Sequence, residues 1–499
     1  MALPSLTIRL TRDSDIKGVA PVLPYYGQNY WDLKRQCLRK GCLFTDRFFK
    51  ACPESIGYHE LGPKSAATQG LVWKRPKEIC QDPKFISEGM RQTDVRQGKL
   101  GDCWFLAAAA SLTLYPQLLR RVVPQDQSFN SEDYVGIFHF QFWQFGKWVE
   151  VVVDDQLLLD ETGKTLKYGR STDENEFWMP LLEKAFAKLN GSYEAIIRGF
   201  ARNAFVDLTG GIGETIWLPN CPPKNLCKRA QKALDRNSLM AASITGKRGK
   251  RPDGLYNHHA YSITKIHKMT VGVKEMEFVR LRNPHGKNEW TGDWRDDDET
   301  NWSKVDPKEK EKMQVKKEDG KPEDGEFWMS LDDFRKVFHL LHICHLDANA
   351  PREKDAPFRW HSNSFQGRWK SASGLNNPDA FWTNPQFYVS LSEESEILIS
   401  LIQKSRKDLL WIDFDVYKAT KEYLDNPDQR KRLLSSLKVE KKVTSWLKEK
   451  NKVEDRTESL KLTRGDYLII PMNRASEEGD FLLRIFTEKK HLFRKLEIK

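Results

Sequence analysis

Cys103 to Leu112 reads Cys-Trp-Phe-Leu-Ala-Ala-Ala-Ala-Ser-Leu, rich in Ala and Leu and free of Gly and Pro. Such a segment predicts a buried helix, around which the rest of a fold must pack. The six residues before it, Gln97 to Asp102, hold two glycines and predict a turn. Cys103 thus falls at a helix start. Unpaired N–H groups and partial positive charge there favour a thiolate over a thiol. The same N–H groups suit a developing oxyanion, with the Gln97 side-chain amide as second donor. A lone cysteine before an Ala-rich run also suits a buried structural role. The polar amide, the two glycines and the helix start weigh against that reading.

The 499 residues are too many for one core, so roughly two to four domains are expected. No apolar run reaches the ~18 residues of a spanning helix. The N-terminus lacks the apolar core and cleavage site of a secretory signal. The 81 basic and 70 acidic residues interleave, which describes a soluble surface more than a nucleic-acid-binding face. The densest basic cluster, Lys247, Arg248, Lys250 and Arg251, is read as a solvated loop, with a site for acidic lipid or nucleic acid as the lesser alternative. Eight cysteines without a Cys-x2-Cys pair point to reduced thiols and a cytoplasmic protein.

Along the chain, residues 1–42 form a leader ending in a short helix near Asp32 to Arg39. Residues 43–197 form a first, helical lobe. Within it, Tyr134 to Asp154 carries a hairpin signature through Phe145-Gly146, and Phe177 to Leu189 reads as an amphipathic helix. Gly210, Gly211 and Gly213 mark a hinge. The second, sheet-rich lobe (198–346) has strands at Leu239 to Ile244, Ala260 to Ile266 and Glu277 to Leu281. A charged mobile loop, Asp306 to Asp324, and a helix over Asp332 to Leu341 follow. After a linker (347–357), short β-type segments over 358–490 predict a β-sandwich, and 491–499 a tail.

A cysteine nucleophile needs a base, and the base an orienting group. His258-His259 enter a predicted strand, where neighbours point to opposite faces, so one histidine can address a cleft. Asn283, ending the next strand before Pro284, can fix an imidazole tautomer or serve only as a turn residue.

The motifs Gln97-Gly98-x-x-Gly101-Asp102-Cys103-Trp104, His259-Ala260-Tyr261-Ser262 and Asn283-Pro284-x-Gly286-x-x-Glu289-Trp290-Thr291-Gly292 together resemble the calpains, calcium-dependent papain-like thiol proteases. Flanking matches include Asn175-Glu176-Phe177-Trp178, Asp324-Gly325-Glu326-Phe327-Trp328 and Phe381-Trp382-x-Asn384-Pro385. The resemblance spans roughly residues 45–490. It implies an α+β fold: a papain-like two-lobed cysteine protease core followed by an all-β sandwich domain. It implies Cys103 as nucleophile, His259 as base, Asn283 as orienter and Gln97 as oxyanion donor. Two calcium ions are implied in the core. Ser87 and Gly89 (backbone), Asp94 and Glu176 match the first site; Glu289, Asp296, Asp324 and Glu326 match the second, with a backbone ligand near Pro322.

Calcium-activated limited proteolysis of cytosolic proteins is the expected activity; the rival is a calcium-responsive, non-catalytic scaffold. Protein substrates, an inhibitory protein of the calpastatin type and weak phospholipid contact through the sandwich are the implied partners, with no nucleic acid. No EF-hand loop occurs, so contact with an EF-hand small subunit is not expected. His285 stands where the family has a tryptophan that shields the imidazole–amide bond. A smaller ring titrating near pH ~6.5 is expected to loosen the calcium-free cleft and lower activity on the acid side.

Overall fold

The computed structural model describes residues 21–130, 132–219, 226–313, 324–347, 350–351, 358–370, 381–405, 408–442, 453–473 and 477–497. Its centre is the helix Cys103–Leu112, buried from Trp104 to Leu112. On one side it packs within the first lobe, against the aromatic residues of the strand Ile137–Gln144 and the helix Ala201–Thr209, whose Ala201, Ala204, Phe205 and Leu208 join this core although the expected boundary lay at residue 197. On the other it meets the strand Tyr256–Val271 of the second lobe, where the Ser262 hydroxyl donates to the Ala107 carbonyl at 2.8 Å. The alanine run lets both neighbours approach. Leu239, Ala241 and Ala260 from the second lobe therefore join the first lobe's core as one apolar cluster.

The hairpin is formed by Ile137–Gln144 and Lys147–Asp154 in antiparallel register, turning at Phe145-Gly146. Leu23–Pro24 adds a short parallel strand to it, and the expected leader helix runs over Tyr30–Lys40. The predicted amphipathic helix, observed at Trp178–Asn190, is instead buried on every side from Trp178 to Lys188. Its two buried lysines that follow Glu183 are internally paired. Lys184 Nζ lies 2.5 Å from Asp154 Oδ1, and Lys188 Nζ lies 2.5 Å from each of Asp46 Oδ2, Gln28 Oε1 and the Val152 carbonyl.

The second lobe is a six-stranded antiparallel sheet. Its order is Glu326–Ser330, Lys274–Arg282, Tyr256–Val271, Leu239–Lys250, Leu340–His345 and Ile212–Trp217. Gly210 caps the helix Ala201–Thr209 at φ +69, and a Cβ there would lie 2.8 Å from Trp143 Cδ1. The proposed hinge is thus a close-packed crossing between lobes. Three local expectations change. The basic cluster is not a loop, because Lys247, Arg248 and Lys250 belong to the strand Leu239–Lys250. Within the charged insertion, Pro307–Met313 is a helix; residues 314–323 lie outside the described residues, as does Pro322. The helix expected to reach Leu341 ends at Val337, because Leu340–His345 is drawn into the sheet between two strands.

The third unit is a sandwich of a four-stranded and a five-stranded antiparallel sheet around Phe387, Ile399, Phe414, Ile469 and Phe481. The expected tail supplies a strand, His491–Leu496, paired with Gln386–Leu391. Arg484, 4% exposed, leaves the sandwich to donate to the Gly211 carbonyl at 2.7 Å and the Gly210 carbonyl at 2.5 Å. Among the described residues no helix is long and apolar enough to cross a membrane. Seven described cysteines are free thiols; Cys221 lies outside the described residues.

Removing one partner of a buried ion pair strands the other charge. Lys188→Met should lower stability by about 3–5 kcal/mol, read as an earlier urea transition. Lys188→Met combined with Asp46→Leu should recover most of the loss. Unchanged unfolding of the single variant would show that the pair is not needed.

Candidate active site

Cys103 is the first residue of its helix. The turn before it must be glycine-bearing, since a side chain at Gly98 would collide with the Tyr168 carbonyl. His259 enters from the strand Tyr256–Val271, and Asn283 follows the strand Lys274–Arg282. His259 Nε2 donates to Asn283 Oδ1 at 2.8 Å, which leaves Nδ1 without the proton in the neutral ring. The amide of Asn283 is itself fixed. Its Nδ2 donates to the Lys287 and Asn288 carbonyls at 2.8 and 3.0 Å, and its Oδ1 also accepts the His285 N–H at 3.0 Å. The two lobes are tied beside it by Gln97 N–H to the Pro284 carbonyl at 3.0 Å and Arg282 to the Val95 carbonyl at 3.2 Å. Gln97, Cys103 and His259 line one cavity of about 290 Å³, with His285 on its wall.

Both neighbouring histidines line this cavity, contrary to simple alternation. His258 sits at φ +54, the left-handed region where a side chain is disfavoured. The pairing register slips between Ile244 and Gly249 on the facing strand, so alternation is lost there. The amide of Gln97 is turned inward, donating to the Leu100 carbonyl at 2.6 Å.

The electrostatics correct the expected thiolate. Burial pushes the Cys103 thiol up to about 11, and the Asp102 carboxylate adds to the rise; Ala260 N–H and the Arg248 guanidinium oppose it. Burial, then His285 and Arg248, push His259 down to about 3 against the Asn283 bond. In this arrangement both reacting groups are neutral at pH 7. Burial is the largest cause of both shifts.

His285 stacks on His259, ring centroids 4.4 Å apart, so a flat ring covers the imidazole–amide bond as the family's indole would. Tyr256 and Tyr261 close two further sides edge-on, at 5.9 and 4.9 Å. Burial, then Lys287 and Arg248, hold His285 down at about 4. The expected titration near pH ~6.5 is therefore displaced, and no acid-side loss of activity follows from it in that range.

Beneath the cysteine lies a pair that sequence reasoning missed. Asp102 is fully buried without a cationic partner and abuts the Glu183 carboxyl, which itself accepts the Gly169 N–H at 3.0 Å. Burial raises both carboxyls; the Asp102 charge raises Glu183 further, while the hydrogen bond from Glu183 opposes the rise of Asp102, so the pair is stable when it shares a proton. The sequence carried no signal for it, because Glu183 reads there as part of the polar face of an amphipathic helix.

Of the residues expected to hold calcium, Asp94 and Glu176 are buried, and the Asp94 charge acts on Glu176. Burial raises both carboxyls, and Asp94 raises Glu176 further. Glu176 accepts from Ser87 N–H at 2.8 Å and from the Ser171 hydroxyl at 2.6 Å; Gly89, at φ +97, ends the same segment. Two buried carboxylates beside the Ser87–Gly89 backbone, all oxygen donors, fit a hard cation. In the second set Glu289 accepts the Asp324 and Gly325 N–H groups at 3.0 Å, and Asp296 accepts Trp328 N–H at 3.3 Å. Glu326 is bonded by Thr264 and paired with Arg280. Among the described residues no three His, Cys, Asp or Glu side chains converge as a metal cluster. The first set, of two carboxylates plus backbone, does not require one.

The model of the family described as "Calpain family cysteine protease" matches residues 44–345, and "Calpain large subunit, domain III" matches 359–486. Calpain-12 of Mus musculus is 41% identical, over 97% of this chain and 72% of its own length. Calpain-8 of Rattus norvegicus is 42% identical over 93% and 69%, and the Calpain-2 catalytic subunit of Gallus gallus 42% over 94% and 69%.

A carboxyl whose folded-state pKa is raised contributes stability that is present below its unfolded value and is lost as pH rises through its folded value. The Asp102–Glu183 pair should therefore make the first lobe less stable as pH rises above about 4. Glu183→Gln keeps the Gly169 bond and offers Asp102 an N–H, so it should flatten that slope in a melting-temperature profile. Identical profiles for parent and variant would overturn the shared proton.

Proposed function

Because this chain belongs to the calpain family of cysteine proteases, we propose that it is a calcium-activated endopeptidase cutting protein substrates by a Cys–His–Asn mechanism. The observation that carries this reading is the 2.8 Å His259–Asn283 bond, buried on the wall of the cavity that Cys103 lines.

On this reading His259 Nδ1 takes the Cys103 proton as the sulfur attacks the scissile carbonyl carbon. The resulting oxyanion is held by the N–H groups at the helix start, with Gln97 as the second donor once its amide turns from Leu100. The imidazolium, oriented by Asn283, gives its proton to the leaving amine as the C–N bond breaks. Water then attacks the thioester with His259 as base, releasing the acid and restoring the thiol. His285, Tyr256 and Tyr261 keep water from the His259–Asn283 bond.

Asp94 and Glu176, with the Ser87 and Gly89 backbone, would hold one calcium ion; Glu289, Asp296, Asp324 and Glu326 would hold the second. Calcium when bound supplies positive charge to carboxylates that otherwise repel, favouring whichever lobe arrangement brings them together. The rival is a non-catalytic calcium-responsive scaffold, favoured by the burial that raises the Cys103 thiol and lowers the His259 imidazole. We extend the family likeness to a calpastatin-type inhibitor, to phospholipid contact through the sandwich and to a cytoplasmic setting.

Cys103→Ser should abolish casein cleavage in calcium, a loss of at least about 10³-fold, while leaving the circular dichroism spectrum unchanged. Undiminished cleavage by this variant would sink the thiol mechanism, and no cleavage by the parent would favour the scaffold. Calorimetry on the full chain should show calcium binding that Asp94→Ala or Asp324→Ala weakens by at least about tenfold. Isotherms unchanged by both substitutions would mean that the ligand assignment is wrong.

A further inference from the structure

The strand Leu239–Lys250 carries its basic cluster to the mouth of the cleft. Its pairing slips between Ile244 and Gly249, so the residues between them bulge from the sheet. Arg248, on this bulge, is exposed, yet its Nη1 lies 3.7 Å from where a Cβ on Gly101 would stand, two residues before Cys103. It lines the same cavity as Cys103 and His259. Its positive field reaches the Cys103 thiol and the His259 and His285 imidazoles.

Three neighbouring cations are already engaged, and Lys247 does not line the cavity. Arg251 is held by Asp253, Lys250 donates to Asn288 at 3.0 Å, and Arg198 pairs with Glu60 at 2.7 Å. Arg248 has no hydrogen bond or ion pair among the described residues. No Asp or Glu lines the cavity. A guanidinium held over the cleft without a carboxylate partner is matched by a planar anion arriving with the substrate.

We propose that Arg248 is a specificity residue of this cleft, pairing with an Asp or Glu side chain of the protein substrate close to the scissile bond. The inference rests on the endopeptidase reading and adds to it a substrate class, acidic segments. Because Arg248 is exposed, little desolvation opposes the pairing, and added salt weakens it.

The test uses the full-length protein in calcium. Fluorogenic peptides differ only by Glu, Gln or Lys at each position flanking the cleaved bond. At one position Glu should exceed Gln by about tenfold in kcat/KM, and the ratio should shrink at high salt. Arg248→Gln should bring that ratio to about one, Arg248→Glu should invert it in favour of Lys, and Arg248→Lys should retain part of it. Binding of the same peptides to Cys103→Ser, with and without Arg248→Glu, reads the preference by fluorescence anisotropy without chemistry. Cleavage or binding with no Glu preference, or a preference that survives Arg248→Glu, overturns this inference. A Glu preference in binding that Arg248→Glu inverts, without cleavage by the parent, upholds it and sinks the endopeptidase reading instead.

Discussion

The helix Cys103–Leu112 has no face of its own, and the molecule follows from that. Buried on all sides, it serves as core for the first lobe and as floor for the second-lobe sheet. Alanines at four consecutive positions let both lobes reach its backbone, and Ser262 reaches it directly with a hydrogen bond to Ala107. A larger residue in that run would overpack a fully buried site and push the lobes apart. The same constraint fixes where the helix starts, and therefore where Cys103 stands relative to His259 on the strand that lies against it. The cleft geometry is a by-product of core packing.

That packing has an electrostatic consequence. A cysteine at the start of a buried helix loses water, and in this structure burial is the largest influence on the Cys103 thiol and raises it. His259 suffers likewise beneath His285. The site is preorganised in shape, since Asn283 is locked by four hydrogen bonds of its side chain, but it is not precharged. Forming the thiolate–imidazolium pair requires a change in surroundings, such as a substrate carbonyl to receive charge or a shift between the lobes.

Elements whose cause is local were legible in the sequence. The central helix, the hairpin turning at Phe145-Gly146 and the Tyr30–Lys40 helix each announce themselves through composition or period. The residues brought together at the site were legible as motifs, and the 2.8 Å His259–Asn283 contact joins two of them. What escaped depends on partners distant in sequence or on register. Glu183, Lys184 and Lys188 look like the polar face of an amphipathic helix, yet Lys188 finds Asp46 at a separation of 142 residues. Arg248 and His258 owe their positions to a slip between two strands, which no periodicity reports. The helix predicted through Leu341 failed because Leu340–His345 fills a central place in a sheet whose other strands supply the demand for it. His285 reads as a titratable ring until its burial is known.

Arg484 gives the sandwich a mechanical role. Its guanidinium grips the carbonyls of Gly210 and Gly211, where the chain crosses from the first lobe's helix to the second lobe's sheet, and it lies over Trp143 of the hairpin. The crossing is thereby clamped by a residue some 270 positions downstream. Any force on the sandwich is thereby passed to the crossing that joins the two walls of the cleft, and the sandwich is a handle on the blades.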